Sequence, residues 1–479
     1  MRRRLQFAAA VFAALVVAHA VAPAAATKAS APTDVWYGTY FDGMPIGGSH
    51  DVLSKSTYQG RPCLVETSTS HTVVRLLGVL VIQDAVSTDI SDLATGKPLS
   101  EVDVMSSGGD VTRVTAAFAD SSVKAVLESG GTTETRTLTV PTGAVLMAED
   151  PTTSPPTDLT KKYVFFDPTK IALDPVSVAA APGQPKSHLR KVIVSIYGTT
   201  VTVEQDADGT PTRIDLSQGL VMVRRAAAIV RPLMALDASP TTSGAPTSAA
   251  GEAAIPDFAV VTSVVPTGAA LTAHPTHMVV TVTEPGQPAR SFDIAQIAIP
   301  TTLPIGGSMD DIRGRSDLAR YLENTPYLDL DDPGIADQAR ELANASVDPY
   351  DIAVHIQQWV HDRMVPNASI GVPRTAGEIM GDRRGVCRDY AILYTALARK
   401  AGVPTRLCAG LVGFQGRFYY HAWAESFIGG SIGWMPFDPT LNQLPADASH
   451  IPLVKGDPAN LFDLMGNIGS TKVVIHSCE

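Results

Sequence analysis

The sequence predicts an α+β protein. An antiparallel β-rich region, residues 33–300, precedes a unit of helices followed by antiparallel strands, residues 310–460. Three observations predict this. β-Branched runs bounded by turn residues recur through the first region. Near residue 305 the apolar period lengthens from two to that of a helix. Three strand-like runs then follow a helix that stops at Gly402, with Pro404 beyond it. Helices followed by strands argue for α+β rather than alternating architecture.

The elements follow in order. Arg2, Arg3 and Arg4, an apolar run from Phe7 to Val17 and the small-residue patterns Ala18-His19-Ala20 and Ala24-Ala25-Ala26 read as a signal peptide, residues 1–26. The run is short for a membrane span. Two apolar arms around Asp42-Gly43 form a hairpin signal. Thr135–Val140, Lys191–Gly198 and His277–Gly286 read as further strands, and Glu204–Leu216 as a hairpin. The small, polar stretch Asp237–Pro256 is a loop that sits inside the β region or divides it in two. Asp332-Pro333 and Asp348-Pro349 each supply a helix cap and a first helical residue. A third helix runs from about Cys387 to Ala401. Thr405–Gly413, Arg417–Phe427 and Gly433–Thr440 are the strands after it, and residues 461–479 are a tail.

Length and charge bound the function. A chain of 479 residues exceeds the ~250–300 residues of a single core, so two or three domains are expected. The net charge is −11, and loss of the signal's three arginines leaves 34 basic against 48 acidic residues. That balance argues against electrostatic binding of nucleic acid or anionic lipid. No other long apolar run occurs, so the mature chain has no expected membrane span and a periplasmic or extracellular location. There are four cysteines, Cys63, Cys387, Cys408 and Cys478, whose pairing the sequence leaves open. A Cys63–Cys478 bridge would tie the tail to the β region.

Cys387 carries the chemistry. It sits at a helix N-terminus, where free N–H groups and the dipole favour a thiolate over a thiol of pKa about 8.5. Arg384 and Arg388 flank it, and Gly385 gives the backbone freedom to turn into the helix. The same N–H groups suit an oxyanion. A thiol nucleophile needs a base and a group to orient the base. His421 lies mid-strand, with Trp423 and Glu425 on its face, and Asp438 ends the next strand. The bland alternatives are a disulfide or buried thiol at Cys387, a packed strand histidine at His421 and a turn carboxylate at Asp438. Their order on helix, strand and strand favours a triad. A zinc site from the same three residues lacks the fourth ligand and the short paired spacings of structural sites.

"GVCRDYA", "LARKAGVPTR", "HAWAE" and "GWMPFDPT" together resemble the transglutaminase-like superfamily, whose fold is papain-like. The likeness covers about residues 315–460, through Gly385, Cys387, Asp389, Tyr390 and Ala391; Gly402, Pro404 and Arg406; His421, Trp423 and Glu425; and Trp434, Asp438, Pro439 and Thr440. The resemblance implies a Cys387 nucleophile, a His421 base and an Asp438 orienting acid. The N-terminal β region resembles that of exported bacterial members. Trp359 and Asn367 are the upstream candidates for a side-chain oxyanion donor. Trp423, Tyr420 and Trp359 are candidate substrate-groove residues. No calcium-binding acidic loops match, so neither metal nor cofactor is called for.

The function expected is an exported thiol acyl-transfer enzyme acting on a peptide or protein. It would be a cysteine protease or amidase if water takes the acyl group, and a transamidating acyltransferase if an amine does. The alternative is a non-catalytic binding or assembly module of the cell envelope on the same fold.

Overall fold

The computed structural model describes residues 34–76, 79–147, 161–181, 190–196, 199–207, 209–216, 219–236, 257–284, 287–299, 305, 307–467 and 471–479. The expected signal segment and the stretch 237–256 lie outside them. The described residues form two compact units, 34–129 with 133–257, and 130–132 with 258–479.

The first unit holds a fifteen-stranded sheet. Its strands are β1 (Asp34–Phe41), β2 (Met44–Tyr58), β3 (Arg61–Leu76), β4 (Val79–Asp92), β5 (Pro98–Ser107), β6 (Asp110–Ala119), β7 (Ser122–Ser129), β8 (Thr132–Thr139), β9 (Ala144–Leu146), β10 (Lys162–Asp167), β11 (Ala172–Ala180), β12 (Arg190–Ile196), β13 (Thr199–Gln205), β14 (Pro211–Asp215) and β15 (Leu220–Arg224). The order is β8-β7-β6-β5-β4-β3-β2-β1-β15-β14-β13-β12-β11-β10-β9. β1 and β2 meet at Asp42-Gly43, whose φ angles of 47° and 80° are the paired positive values that a type I′ hairpin demands. Alternation sets the inner face: Val192 and Val194 on β12 pack with Val201 and Val203 on β13 and with Ile214 and Met222. A short helix, α1 (Ala227–Leu233), follows β15.

The second unit contains α2 (Phe258–Val261), β16 (Thr267–Gly268), β17 (His277–Thr283), β18 (Arg290–Ala295) and α3 (Met309–Arg313). Then come α4 (Pro333–Ala343), α5 (Pro349–Arg363), β19 (Val365–Pro366), α6 (Ala376–Asp382), β20 (Arg384–Gly385) and α7 (Cys387–Lys400). The closing strands are β21 (Thr405–Phe414), β22 (Arg417–Gly429), β23 (Gly433–Phe437), β24 (His450–Gly456) and β25 (Lys472–Cys478). Asp332 caps α4 by accepting from Ile335 N–H, and Asp348 caps α5 by accepting from Tyr350 N–H, as the Asp-Pro pairs predict. α7 runs through Ala401 to Gly402, whose φ of 90° ends it.

The principal sheet of this unit has the antiparallel order β23-β22-β21-β24. α7 packs on β22 and β21, and α4, α5 and α6 pack on α7. Every residue from Cys387 to Arg399 is therefore buried. This is the expected α+β architecture with a papain-like core. Two features differ in detail from the sequence reading. β17 and β18 fall within the expected β-rich region 33–300 but belong to the second unit, because β17 pairs with β25 of the supposed tail. β24 is a fourth strand at the sheet's edge, where its Pro452 costs no central ladder bond. All four cysteines are free thiols.

Candidate active site

Local sequence places Cys387 at the first turn of α7. Val386 is extended, and its N–H donates to the carboxylate of Asp389, 2.9 Å away. That carboxylate explains Gly385. A Cβ there would lie 2.5 Å from Asp389 Oδ2, so the glycine is needed for room rather than for turning freedom. Arg384 and Arg388, expected to flank a thiolate, are engaged elsewhere. Arg384 pairs with Asp382 at 3.1 Å, and buried Arg388 donates to Val372 O at 2.7 Å and Asp389 Oδ1 at 3.2 Å. Asp389 is buried, so Arg388 serves chiefly as its counter-ion.

The strands bring the base and its partner together. His421 lies on β22, opposite Gly410 of β21, and Asp438 follows the adjacent β23. His421 Nε2 donates to Asp438 Oδ2 at 2.7 Å. Asp438 Oδ1 accepts from the N–H groups of Thr440 and Leu441 at 2.8 and 3.0 Å. One carboxylate oxygen thus holds the turn and the other holds the imidazole. Nε2 being committed, Nδ1 is the ring nitrogen left for the thiol. It is buried without a partner in full hydrogen-bond geometry, while Cys387 interacts with the ring electrostatically. Cys387, His421 and Asp438 are each 0% exposed.

The electrostatics follow from these neighbours. Burial lowers the His421 imidazolium, but the charges of Asp438 and Cys387 and the hydrogen bond to Asp438 outweigh that and raise it to about 10. Burial raises Asp438, but His421's charge and hydrogen bond and those of His450 hold it well below the usual carboxylate range. An imidazolium beside Cys387 is the protonation state that a thiolate partner requires.

His450, on β24, is the residue the sequence reading missed. Its Nε2 lies 3.1 Å from Asp438 Oδ2. Its position depends on Gly410, where a Cβ would lie 2.0 Å from Ile451 O; lacking one, β21 admits β24 at close range. The run "HIPLVKG" with Asp447 three residues before His450 was the available signal. His421, Asp438 and His450 could also approach a cation, since their donor atoms lie within 4.8 Å of one another. Their N···O separations of 2.7 and 3.1 Å are those of hydrogen bonds, and a metal would need both Nε2 lone pairs in place of the N–H groups that now meet Asp438. The cluster fits a hydrogen-bonded one.

The candidate groove residues stand elsewhere. Trp423 is 1% exposed and packs on both imidazoles, its ring 6.2 Å from His421 and 5.1 Å from His450. Buried Tyr420 donates to Thr471 Oγ1 at 2.8 Å. Trp359 lies half-buried on α5, 5.9 Å from the Arg383 guanidinium. None of the three lines a cavity of about 1040 Å³ bounded by His361, Asp362, Tyr390, Thr440, Gln443 and Asp447, among others. Tyr390 is one turn from Cys387, and Thr440 follows Asp438. Asn367 donates its N–H to Gly385 O at 2.8 Å, through the pairing of β19 with β20, and so lies beside the loop that leads to Cys387. Arg406, Glu425 and Trp434 form a separate cluster, with the guanidinium bonded to Glu425 at 2.6 and 2.8 Å and 4.1 Å from the indole.

Residues 336–439 match the family model of the transglutaminase-like superfamily. A solved structure described as a putative cysteine protease from Cytophaga hutchinsonii is similar at 17% identity and a TM-score of 0.29, covering 43% of this chain and 78% of that one. No curated protein matches the chain. No helix among the described residues is long and apolar enough to cross a membrane.

Proposed function

We propose that this protein is an exported thiol acyl-transfer enzyme in which Cys387 is the nucleophile, His421 the general base and acid, and Asp438 the residue that orients His421. The observation that carries the reading is the placement of His421, with Nε2 on Asp438 at 2.7 Å, Nδ1 left for Cys387 and the ring held as an imidazolium. In that ion pair the Sγ proton already rests on Nδ1, and the thiolate sulfur attacks an amide or related acyl carbon, whose carbonyl electrons pass to oxygen. The backbone N–H groups at the start of α7 stabilise the oxyanion. The imidazolium returns its proton to the leaving amine, which departs and leaves a thioester. His421 then takes a proton from the incoming acceptor, which attacks the thioester carbonyl, and the thiolate leaves. Water as acceptor gives a peptidase or amidase; a primary amine gives transamidation. Hydrolysis of peptide bonds is the favoured outcome for a protein exported into water. Export rests on the N-terminal arginines and the apolar run after them.

Full burial of Cys387 favours a second reading, a non-catalytic envelope module with an inert thiol. One experiment separates them. The wild type and Cys387→Ala are incubated with a mixture of fluorogenic peptides, with and without methylamine. Cleavage or amine incorporation by the wild type, absent in the variant, supports the enzyme. Equal activity in both removes Cys387 from the chemistry, and no activity in either favours the module.

A further inference from the structure

Beyond the triad the hydrogen bonds continue. His450 Nε2 faces Asp438 Oδ2 at 3.1 Å, and its Nδ1 lies 3.2 Å from Asp447 O and 3.3 Å from Asp447 Oδ1. Asp447 Oδ2 in turn accepts from His274 Nδ1 at 3.0 Å and from Gln443 Nε2 at 2.9 Å. The His450 side chain is 3% exposed and that of Asp447 4%. Both ring nitrogens of His450 therefore meet oxygen acceptors away from water. A neutral imidazole has one N–H and one lone pair. Either tautomer would set that lone pair against carboxylate or carbonyl oxygen. Only the cation, donating from both nitrogens, satisfies both ends.

We propose that His450, held as an imidazolium between Asp438 and Asp447, is a positioning residue of the thiol site. It fixes the Asp438 carboxylate so that Oδ2 meets His421 Nε2 and the other ring nitrogen of His421 is kept for Cys387. The proposal rests on the thiol reading of the site. The groups around His450 agree with it. Asp438 and Asp447 are the anions. On β22, His421 lies 6.0 Å away between ring centroids, and Trp423 presents an edge-on ring at 5.1 Å. Val412, its partner on β21, is uncharged. On its own strand, Lys455 is occupied by Glu425 at 2.7 Å. Burial lowers the His450 imidazolium, but hydrogen bonds to Asp438 and Asp447, and their charges, raise it above its ordinary value.

The test reads the thiolate directly, by its absorbance near 240 nm, as the difference between each protein and the same protein carrying Cys387→Ser, from pH 5 to pH 10. The wild type is expected to show the thiolate at pH 6. In His450→Phe the titration should move up by at least about one pH unit, a ~10-fold loss of thiolate at a given acidic pH. His450→Gln keeps one donor for Asp438 and should stay within about threefold of the wild type. A purely structural role would lower the melting temperature of both variants and leave the titration of the folded protein in place. A wild type without thiolate below pH 8 overturns the reading of the site and this inference with it. A wild type with thiolate and an unchanged His450→Phe overturns the inference alone. Should His450→Phe not fold, ¹⁵N-histidine spectra of the wild type at pH 8 decide, with the signals assigned by their loss in His450→Gln. Two protonated nitrogens on His450 support the proposal, and a neutral ring overturns it.

Discussion

Replacing Asp438 with asparagine isolates the orienting carboxylate. Asparagine Oδ1 can still accept from Thr440 and Leu441, so the turn that follows β23 keeps its bonds. The amide nitrogen, however, now faces His421 Nε2, and two donors cannot meet. His421 must present a lone pair there and carry its proton on Nδ1, toward the sulfur. It then cannot take the thiol proton. The size of the loss follows from the imidazolium, which is held at about 10 against an ordinary 6.5. That gap, net of burial and shared between Asp438 and Cys387, corresponds to about 5 kcal/mol at ~1.36 kcal/mol per pH unit. The same swap in a serine triad lowers turnover on the order of 10⁴-fold. The assay is acylation by p-nitrophenyl acetate at pH 7, with the folded fraction measured by near-UV circular dichroism. Acylation is expected to fall on the order of 10³–10⁴-fold per folded molecule. A folded Asp438→Asn protein acylating within tenfold of the wild type would refute the orienting role.

Other expectations follow from single contacts. Gly410→Ala drives a methyl to within 2.0 Å of Ile451 O and must push β24 away, costing about 2 kcal/mol or more and lowering both the melting temperature and the thiolate signal. An unchanged melt would show that the strand approach is not tight. Melting of the site unit should hold a plateau only between about pH 5 and pH 6.5 and fall progressively above it. His421's stabilisation is complete below its ordinary 6.5 and is lost as pH rises through about 10. Asp438's stabilisation is present above its ordinary 3.8 and is lost as pH falls toward its depressed value. His421→Gln should remove the alkaline fall, and an identical profile in that variant would contradict the assignment. In the β unit, burial first, then the charges of Asp103 and Asp89, push Glu101 well above its ordinary range. Its stabilisation is present in acid and lost as pH rises above its unfolded value. Urea unfolding should therefore show a lower midpoint at pH 8 than at pH 5, a difference that Glu101→Gln narrows and that a steeper dependence in the variant would disprove.

Local signals carried most of what the sequence revealed. Asp332 and Asp348 cap their helices through contacts within three residues, and Asp42-Gly43 turns its hairpin with two positive φ values, so neighbours alone announce them. Cys387, His421 and Asp438 were readable because each stands at a recognisable point, a helix start, a strand centre and a strand end. His450 was not readable, because its place beside Asp438 depends on β24 pairing across β21 at Gly410, a choice among edge strands that no local pattern records. The end of the β-rich region was hidden for a similar reason. β17 reads like the strands before it, yet its partner is β25 near the other end of the unit. Arg388 looked like a cation for the thiolate, and only burial beside Asp389 and Val372 showed where its donors go.

The central claim is that Cys387 forms an acyl-enzyme. Rapid mixing of the intact protein with p-nitrophenyl acetate, followed by peptide mapping of the acetyl group, tests it most directly. The account predicts a burst of about one equivalent of p-nitrophenolate with acetyl on Cys387, and no burst in Cys387→Ala. Release without a burst and equal in both proteins, or acetyl carried by Cys478 while Cys387 stays free, would contradict it.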